Sequence, residues 1–523
     1  MTEKLSSGGS SENLRKSYAG VDPDAVFYVV LAAVLFLSYG YEIFNFNLTI
    51  DEEVHALDSG KWRDWVAQGR WGMALLNYAL LPHPITPVVS TFLGVIGTAL
   101  GVMFFVKDGF NLSRQGVLVA TALAITTPTF AFTLTFSTLA YGVGCAFLAM
   151  AISNSLIYRR TLLGVVLASM LAAFAISVYQ TFVFVLVMFV VVHVWRAHAE
   201  YGFANNVIYR YLAFYAVGSL LIYFGINFLV LKAASLDIAY VGQFVDLGGF
   251  IQGPIEKIFV SADRVFHVLS LHPGLFGIHS VWLGIVLFLS IVFSFAYPLI
   301  NRDYYKTLGI VAVLVATFAI IVLADAIAQG GAPLRSVIYM PVAVAVVVSV
   351  GFAVAGDVGK RVLVILCFLA VVGNSMVSNH LFASSASAEF RDKMLAEAII
   401  GEVLRLAPEK AGNAVLKIEL VGNRMWPVTG VQSKTETFGA SFFEWDGGNR
   451  HRVAAYLNLN GIAASGATEE ERVRAYVEQK SMPIWPHAGW MALSGDVLIL
   501  KFGEYSMPQK ASLCAQGVAE ICN

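Results

Sequence analysis

Three consecutive acids, Asp51, Glu52 and Glu53, follow directly after a long apolar run. Carboxylates directly after the end of a membrane helix are costly to place near lipid, so acids at such positions suggest a function. A carboxylate there could act as a general base that takes a proton from a hydroxyl group. A structural interpretation stays open, because Thr49 and Glu52 have capping-box spacing and acids suit a helix start. Since three acids exceed what a cap requires, we expect Asp51 and Glu52 to be catalytic.

The acids belong to an amphipathic segment that runs from Asn47 to Trp71. Tryptophans recur along it at Trp62, Trp65 and Trp71, interleaved with basic side chains. Indole rings favour the boundary between membrane and water. The segment is therefore predicted to lie at a bilayer surface and to hold the acids at headgroup depth.

The composition indicates the class of protein that carries this segment. The 523 residues are 58% hydrophobic and 13% charged, with a mean hydropathy of +0.71. Soluble domains carry about 25% charged residues. The formal net charge of −1 gives no overall field that would attract nucleic acid or a strongly acidic partner. The composition predicts a polytopic membrane protein.

Apolar runs of about 20 residues predict membrane-spanning helices. About eleven are expected, with the least certain boundary at Tyr179-Gln180, and their ranges are 26–46, 86–106, 116–136, 139–158, 162–178, 181–195, 211–231, 280–300, 307–327, 338–356 and 362–382. The expected fold class is a polytopic α-helical membrane protein with a small α+β domain at its C-terminus.

Lysine and arginine concentrate in alternate short loops, which places those loops in the cytoplasm. This predicts a cytoplasmic tail over 1–25 and a transmembrane domain over 26–383 whose outer loops are 47–85 and 233–279. An odd number of spans then puts residues 384–523 outside the cytoplasm as a separate domain. Its patterns predict helices at 388–406 and 468–480 and strands at 414–422 and 496–503.

Cys514 and Cys522 lie close together in this outer tail. In an oxidising compartment they could form a disulfide, with two unpaired thiols as the alternative. The tail shows no nucleotide loop, zinc site or hydrolase elbow. No cofactor and no metal ligands are predicted, and the sequence leaves a requirement for a divalent ion undetermined.

Further polar residues fall near the outer ends of the predicted spans, namely Glu42, Tyr179, Gln180, Lys232, Asp325 and Arg335. The last five, together with Arg70 of the first outer loop, could bind a lipid-linked donor. Each has a structural alternative. Lys232 could only extend to the interface. Asp325 and Arg335 could form an ion pair with each other, and Tyr179 and Gln180 could close a tight turn between helices. The set predicts a site on the outer side of the membrane.

Together these groups favour glycosyl transfer. A carboxylate would accept the proton of an acceptor hydroxyl while a sugar leaves a lipid phosphate. Arg335 has a planar fork suited to phosphate oxygens, and Lys232 and Arg70 are weaker candidates for the same task. A flippase or transporter of the same lipid is the main alternative, and a ligase or polymerase of whole glycans is a third. A transporter is expected to place such groups near the bilayer midplane, where these spans hold few charges.

Four stretches of this sequence resemble the bacterial membrane glucosyltransferases of the GtrII type. They are IDEE at 50–53, QGRWGMALLNYALLP at 68–82, SVYQ at 177–180 and PLRSVIYMP at 333–341. The resemblance covers most of the membrane part and is strongest over residues 40–105. It is much weaker over 384–523.

The resemblance implies a membrane-embedded transferase of the GT-C class, with its site facing the periplasm of the bacterial inner membrane. It implies a polyprenyl-phosphate sugar donor, commonly undecaprenyl-phosphate glucose, and a surface glycan acceptor such as the O-antigen of lipopolysaccharide. A companion transferase that makes the donor and a flippase that moves it would then be expected. The implied catalytic acid of the first outer loop falls on Asp51, with Glu52 as its neighbour.

Overall fold

The fold was obtained as a computed structural model, and it describes residues 23–57, 62–81, 85–201, 206–236, 245–328, 331–408, 415–428, 430 and 432–522. Most of the predicted N-terminal tail, and parts of the outer loops, lie outside these residues.

Helices dominate the membrane part. In the first half of the chain they are α1 (Pro23–Phe44), α2 (Glu52–His55), α3 (Trp62–Ala67), α4 (Trp71–Ala79), α5 (Val89–Phe110), α6 (Arg114–Thr126), α7 (Thr129–Leu134), α8 (Ala140–Ile157), α9 (Leu162–Val178) and α10 (Phe182–Tyr201). They continue as α11 (Asn206–Ala234), α12 (Leu247–Gln252), α13 (Pro254–Leu269), α14 (Pro273–Phe276), α15 (Trp282–Ile300), α16 (Tyr304–Ala326), α17 (Tyr339–Val354) and α18 (Asp357–Leu406).

Within the described residues, seven helices are long and apolar enough to cross a membrane, namely α1, α5, α8, α11, α15, α16 and α18. Four shorter apolar helices, α6, α9, α10 and α17, accompany them. Each of the eleven predicted spans overlaps one of these helices, and the uncertain boundary at Tyr179-Gln180 falls in the turn between α9 and α10. The predicted multi-pass helical fold is confirmed.

Small residues allow α5 and α8 to pack with their backbones in contact. A methyl group added to Gly97 would lie 2.7 Å from the carbonyl carbon of Gly144, and one added to Gly94 would lie 2.6 Å from the Ala140 oxygen. Such close approach is the usual way in which membrane helices associate, because lipid gives no hydrophobic driving force between them. It fixes the start of α8 and therefore the polar segment just before it, residues 135–138.

The last membrane helix continues far beyond the bilayer. Helix α18 has 50 residues and is about 75 Å long, whereas a hydrocarbon core is about 30 Å thick. The predicted domain boundary at 383/384 therefore lies inside a continuous helix. The far end of α18 enters the core of the C-terminal domain through Leu395, Ile399 and Val403. The helix gives this domain a rigid support above the outer loops.

The C-terminal domain contains a four-stranded sheet in the order β2-β1-β4-β3. Its strands are β1 (Leu416–Val421), β2 (Ala464–Gly466), β3 (Met491–Ser494) and β4 (Val497–Lys501), with β1 parallel to β2 and β4, and β3 antiparallel to β4. Its helices are α19 (Trp445–Gly448), α20 (Arg450–Leu459), α21 (Glu469–Glu478) and α22 (Met507–Ala515). The predicted strands correspond to β1 and β4, and the predicted helix at 468–480 corresponds to α21, which begins with a capping box from Thr468.

Cys514 on α22 is joined to Cys522 by a disulfide. The bond closes a short loop near the C-terminus, so the stabilisation expected from chain entropy is about 2 kcal/mol. We expect both cysteines to resist alkylation in protein purified without reductant, because the tail is predicted to face an oxidising compartment. Mass spectrometry after non-reducing alkylation tests this, with the thiol of Cys367 as an internal control after denaturation. Full alkylation of Cys514 and Cys522 without reductant would contradict both the bond and the orientation.

Candidate active site

Asp51 occupies an unusual backbone position immediately before α2. Its φ of 82° lies in the left-handed region, where aspartate is tolerated better than most non-glycine residues. Its side chain makes no capping hydrogen bond to α2. The carboxylate instead turns outward and is 41% exposed. Its orientation is therefore set by groups outside its own helix.

Two guanidinium groups bind the Asp51 carboxylate. Arg335 Nη1 donates to Asp51 Oδ2 over 3.3 Å, and Arg452 Nη2 donates to Asp51 Oδ1 over 2.7 Å. The structure thus brings together Asp51 and Arg335, which are 284 residues apart in the chain. Arg452 was not predicted, and the only sequence signal for it was that three adjacent acids in the outer loop needed cationic partners.

Glu52 is placed differently from Asp51. It is completely buried, and three donors surround it. Thr49 N donates to Oε2 over 3.1 Å, while Ser137 Oγ and Thr138 N donate to Oε1 over 2.9 and 2.8 Å. The capping box that the spacing of Thr49 and Glu52 suggested is not formed, because α2 begins at Glu52 with Asp51 as its N-cap and the Thr49 hydroxyl bonds to Thr135 instead. These contacts join the loop of Glu52 to the segment before α8. They favour a structural role for Glu52 rather than the predicted catalytic role.

Burial raises the pKa of Glu52 from 4.5 to about 7, although hydrogen bonds from Thr138, Ser137 and Thr49 oppose the shift. Because the folded-state pKa is the higher one, the contribution of this group to stability is complete below about pH 4.5 and is lost as pH rises to about 7.

We expect Glu52→Gln to lower stability more than it lowers transfer. Glutamine offers one acceptor oxygen where three donors converge, so at least one donor is left without a partner, at a cost of about 1–3 kcal/mol. The melting temperature of purified protein in detergent should fall, and the gap to the parent should narrow between about pH 4.5 and pH 7. An unchanged melting temperature together with abolished turnover would instead indicate that Glu52 is a catalytic residue.

Two cavities meet beside Asp51. The polar cavity has a volume of about 400 Å³, and its lining includes Asp51, His55, Trp65, Asn449, His451 and Arg452. The apolar cavity has a volume of about 390 Å³, and its lining includes Ile176, Phe184, Leu220, Phe224, Ile327 and Tyr339. Four residues line both, namely Gln68, Arg70, Tyr179 and Arg335. The shared wall is the boundary at which an apolar chain and a polar group of one molecule would meet.

Contacts within the shared wall hold its cations in place. Arg70 Nε donates to Gln180 Oε1 over 3.2 Å, and the Arg70 guanidinium lies 4.5 Å from the centre of the Tyr179 ring. The Tyr179 hydroxyl donates to the backbone oxygen of Arg335 over 3.4 Å. Four of the six predicted donor-binding residues, Arg70, Tyr179, Gln180 and Arg335, are therefore assembled at one place.

The turn that carries Arg335 is a 3₁₀ segment, Leu334–Ser336, fixed from two sides. Thr133 Oγ1 donates to the Arg335 oxygen over 2.8 Å. From the C-terminal domain, Glu436 accepts the backbone N–H of Leu334 over 2.6 Å. Burial raises the pKa of Glu436, although the backbone N–H groups of Leu334 and Arg335 that donate to it, and the charge of Arg335, oppose the shift. Like Arg452, Glu436 is a contribution of the C-terminal domain that the sequence did not reveal.

Asp325 and Lys232 lie outside this assembly. Asp325 is buried, pairs with Arg264 at 3.5 Å and accepts the N–H of Ala332 over 2.9 Å. The ion pair between Asp325 and Arg335 that the sequence left open is not formed, because each has another partner. Lys232 is exposed on the last turn of α11 and is not among the residues that line either cavity. Asp325 therefore supports the turn before Arg335, and Lys232 stands apart from it.

Across the described ranges, no group of three or more His, Cys, Asp or Glu side chains is arranged to hold a metal ion.

A search of curated proteins found no match. Among solved structures, the chain is similar to ArnT from Cupriavidus metallidurans bound to undecaprenyl phosphate, with 14% sequence identity, a TM-score of 0.37, and coverage of 87% of this chain and 88% of that one. A family model described as glucosyl transferase GtrII matches residues 40–352. Since this match spans more than half of the chain and includes Asp51 and Arg335, the protein belongs to the GtrII family of membrane glycosyltransferases.

Proposed function

We propose that the protein transfers a sugar from a polyprenyl-phosphate donor to a hydroxyl of a cell-surface glycan such as O-antigen. Family membership favours glucose as the sugar. The predicted topology places the reaction on the periplasmic face of the bacterial inner membrane. The observation that carries the proposal is the pair of adjoining cavities, one apolar and one polar, which meet at Arg335 with Asp51 on the polar side.

The donor fits this arrangement by its chemistry. Its polyprenyl chain would lie in the apolar cavity, and its phosphate would reach the shared wall at Arg335 and Arg70. Arginine suits this position because its planar guanidinium can bind two phosphate oxygens at once. Both ion pairs that the structure shows for the Arg335 guanidinium are long, 3.3 Å to Asp51 and 4.0 Å to Glu436, so a phosphate can compete for it.

In the transfer step the acceptor oxygen forms a bond to the anomeric carbon, and the bond from that carbon to the phosphate oxygen breaks. The electron pair of the broken bond stays on the lipid phosphate, where Arg335 offsets the added negative charge. Asp51 takes the proton of the acceptor hydroxyl as general base. Its exposed carboxylate lines the polar cavity, which is where a hydroxyl from the aqueous side would arrive.

The test is incubation of purified protein with radiolabelled polyprenyl-phosphate sugars and candidate glycan acceptors. Glucose transferred to the acceptor, with release of polyprenyl phosphate, would support the proposal. Movement of intact donor across liposome membranes without transfer would instead favour a flippase, the alternative left open by the sequence. Repeating the assay with a chelator would show whether a divalent ion is required.

A further inference from the structure

Arg452 is a residue of the C-terminal domain that contacts the loop carrying Asp51 and Glu53. It lies in the first turn of α20, and its side chain is only 16% exposed. Each of its three guanidinium nitrogens faces a different carboxylate. Nη2 lies 2.7 Å from Asp51 Oδ1, Nη1 lies 2.6 Å from Glu53 Oε1, and Nε lies 2.7 Å from Asp446 Oδ2.

This arrangement exceeds what charge neutralisation requires. Glu53 is fully buried, and in the described part of the chain its Oε2 has no hydrogen-bond partner, so Arg452 is needed to compensate its charge. One nitrogen would suffice for that. A second nitrogen is bound to Asp51, at a shorter distance than the one from Arg335.

Asp51 depends on such an external contact. Its left-handed backbone and the lack of a capping bond leave the direction of the carboxylate undetermined by α2 itself. Arg335 cannot hold Asp51 throughout the reaction if it also binds the donor phosphate. Arg452 has a rigid fork, and Asp446 holds that fork from within the C-terminal domain.

We infer that Arg452 is a positioning residue for Asp51, and that the C-terminal domain completes the active site by supplying it. This inference rests on the proposed role of Asp51 as general base. While a donor phosphate occupies Arg335, Arg452 keeps the Asp51 carboxylate directed at the acceptor hydroxyl. Loss of this contact should lower kcat and leave donor KM nearly unchanged, because Arg452 does not line the apolar cavity.

The test separates positioning from neutralisation by comparing the double variant Arg452→Gln/Glu53→Gln with Glu53→Gln alone. The double variant leaves no unpaired buried charge at Glu53, so its fold should survive. In Glu53→Gln alone, Arg452 retains Asp51 and Asp446. We expect kcat of the double variant to be about 10²-fold lower, the order expected when a reacting group is misplaced by about 1 Å. Equal kcat in the two would overturn the inference.

Arg452→Lys decides the question if the double variant does not fold. Lysine keeps a positive charge beside Glu53, but a single ammonium cannot span three carboxylates, so kcat should still fall. Parental kcat in this variant would overturn the inference. Arg450→Gln is the matched control, because Arg450 pairs with Glu469 inside the C-terminal domain and lines neither cavity.

Asp51→Asn, measured in the same assay, separates this inference from the proposed function. If Asp51→Asn is inactive and the double variant is fully active, Asp51 is still supported as the general base and only the positioning role of Arg452 is refuted. A fully active Asp51→Asn would refute both the role of Asp51 as general base and the positioning role of Arg452.

Discussion

Asp51→Asn is expected to lower turnover by about 10²–10⁴-fold, the usual contribution of a general base. The amide is nearly isosteric with the carboxylate, tolerates the left-handed backbone of position 51 and still offers an oxygen to Arg452. The fold should therefore survive. Donor binding should change little, because proton transfer belongs to the transition state rather than to the bound ground state.

The measurement is sugar transfer by matched amounts of folded variant. Asp496→Asn is the control, since Asp496 is a carboxylate that pairs with Lys417 inside the C-terminal domain and lines neither cavity. It should lose far less turnover than Asp51→Asn. Near-parental turnover in Asp51→Asn would exclude it as the base, and Asp64, the other carboxylate among the described residues that line the polar cavity, would then be tested.

The sequence predicted the elements whose signal is local. Hydropathy located the eleven apolar helices found among the described residues, because each must suit the bilayer by its own composition. Tyr179, Gln180 and Arg335 lie at the ends of spans on one predicted side of the membrane, and Asp51 and Arg70 lie in the loop after the first span. Since the spans bring those ends to one surface, their proximity could be expected before any contact was known.

The sequence could not predict side-chain contacts between residues that only the packing of distant segments brings together. Asp51 and Arg452 are 401 residues apart, and they meet because α18 carries the C-terminal domain over the outer loop. Asp51 and Glu52 are neighbours with nearly the same chemistry, yet one faces a cavity and the other is buried. That difference arises from the single left-handed residue before α2, which no composition pattern reveals.

Arg335→Lys is expected to weaken donor binding while the protein still accumulates in the membrane. The ammonium keeps the charge but loses the planar fork that can hold two phosphate oxygens. A lost charge-assisted hydrogen bond costs about 1.5–3 kcal/mol, which corresponds to roughly ten- to a hundredfold weaker binding of the polyprenyl-phosphate sugar. Accumulation should hold because Asp325 is already compensated by Arg264 and does not depend on Arg335.

Donor affinity of the purified variant is the deciding measurement, with Arg63→Lys as the matched control. Arg63 lies in the same loop as Asp51, donates to the Ala234 oxygen and lines neither cavity. An Arg335→Lys protein that binds donor as tightly as the parent would refute the phosphate role. Failure of the variant to accumulate would instead show that the Asp51–Arg335 pair is needed for folding, since these two residues link the first outer loop to the turn before α17.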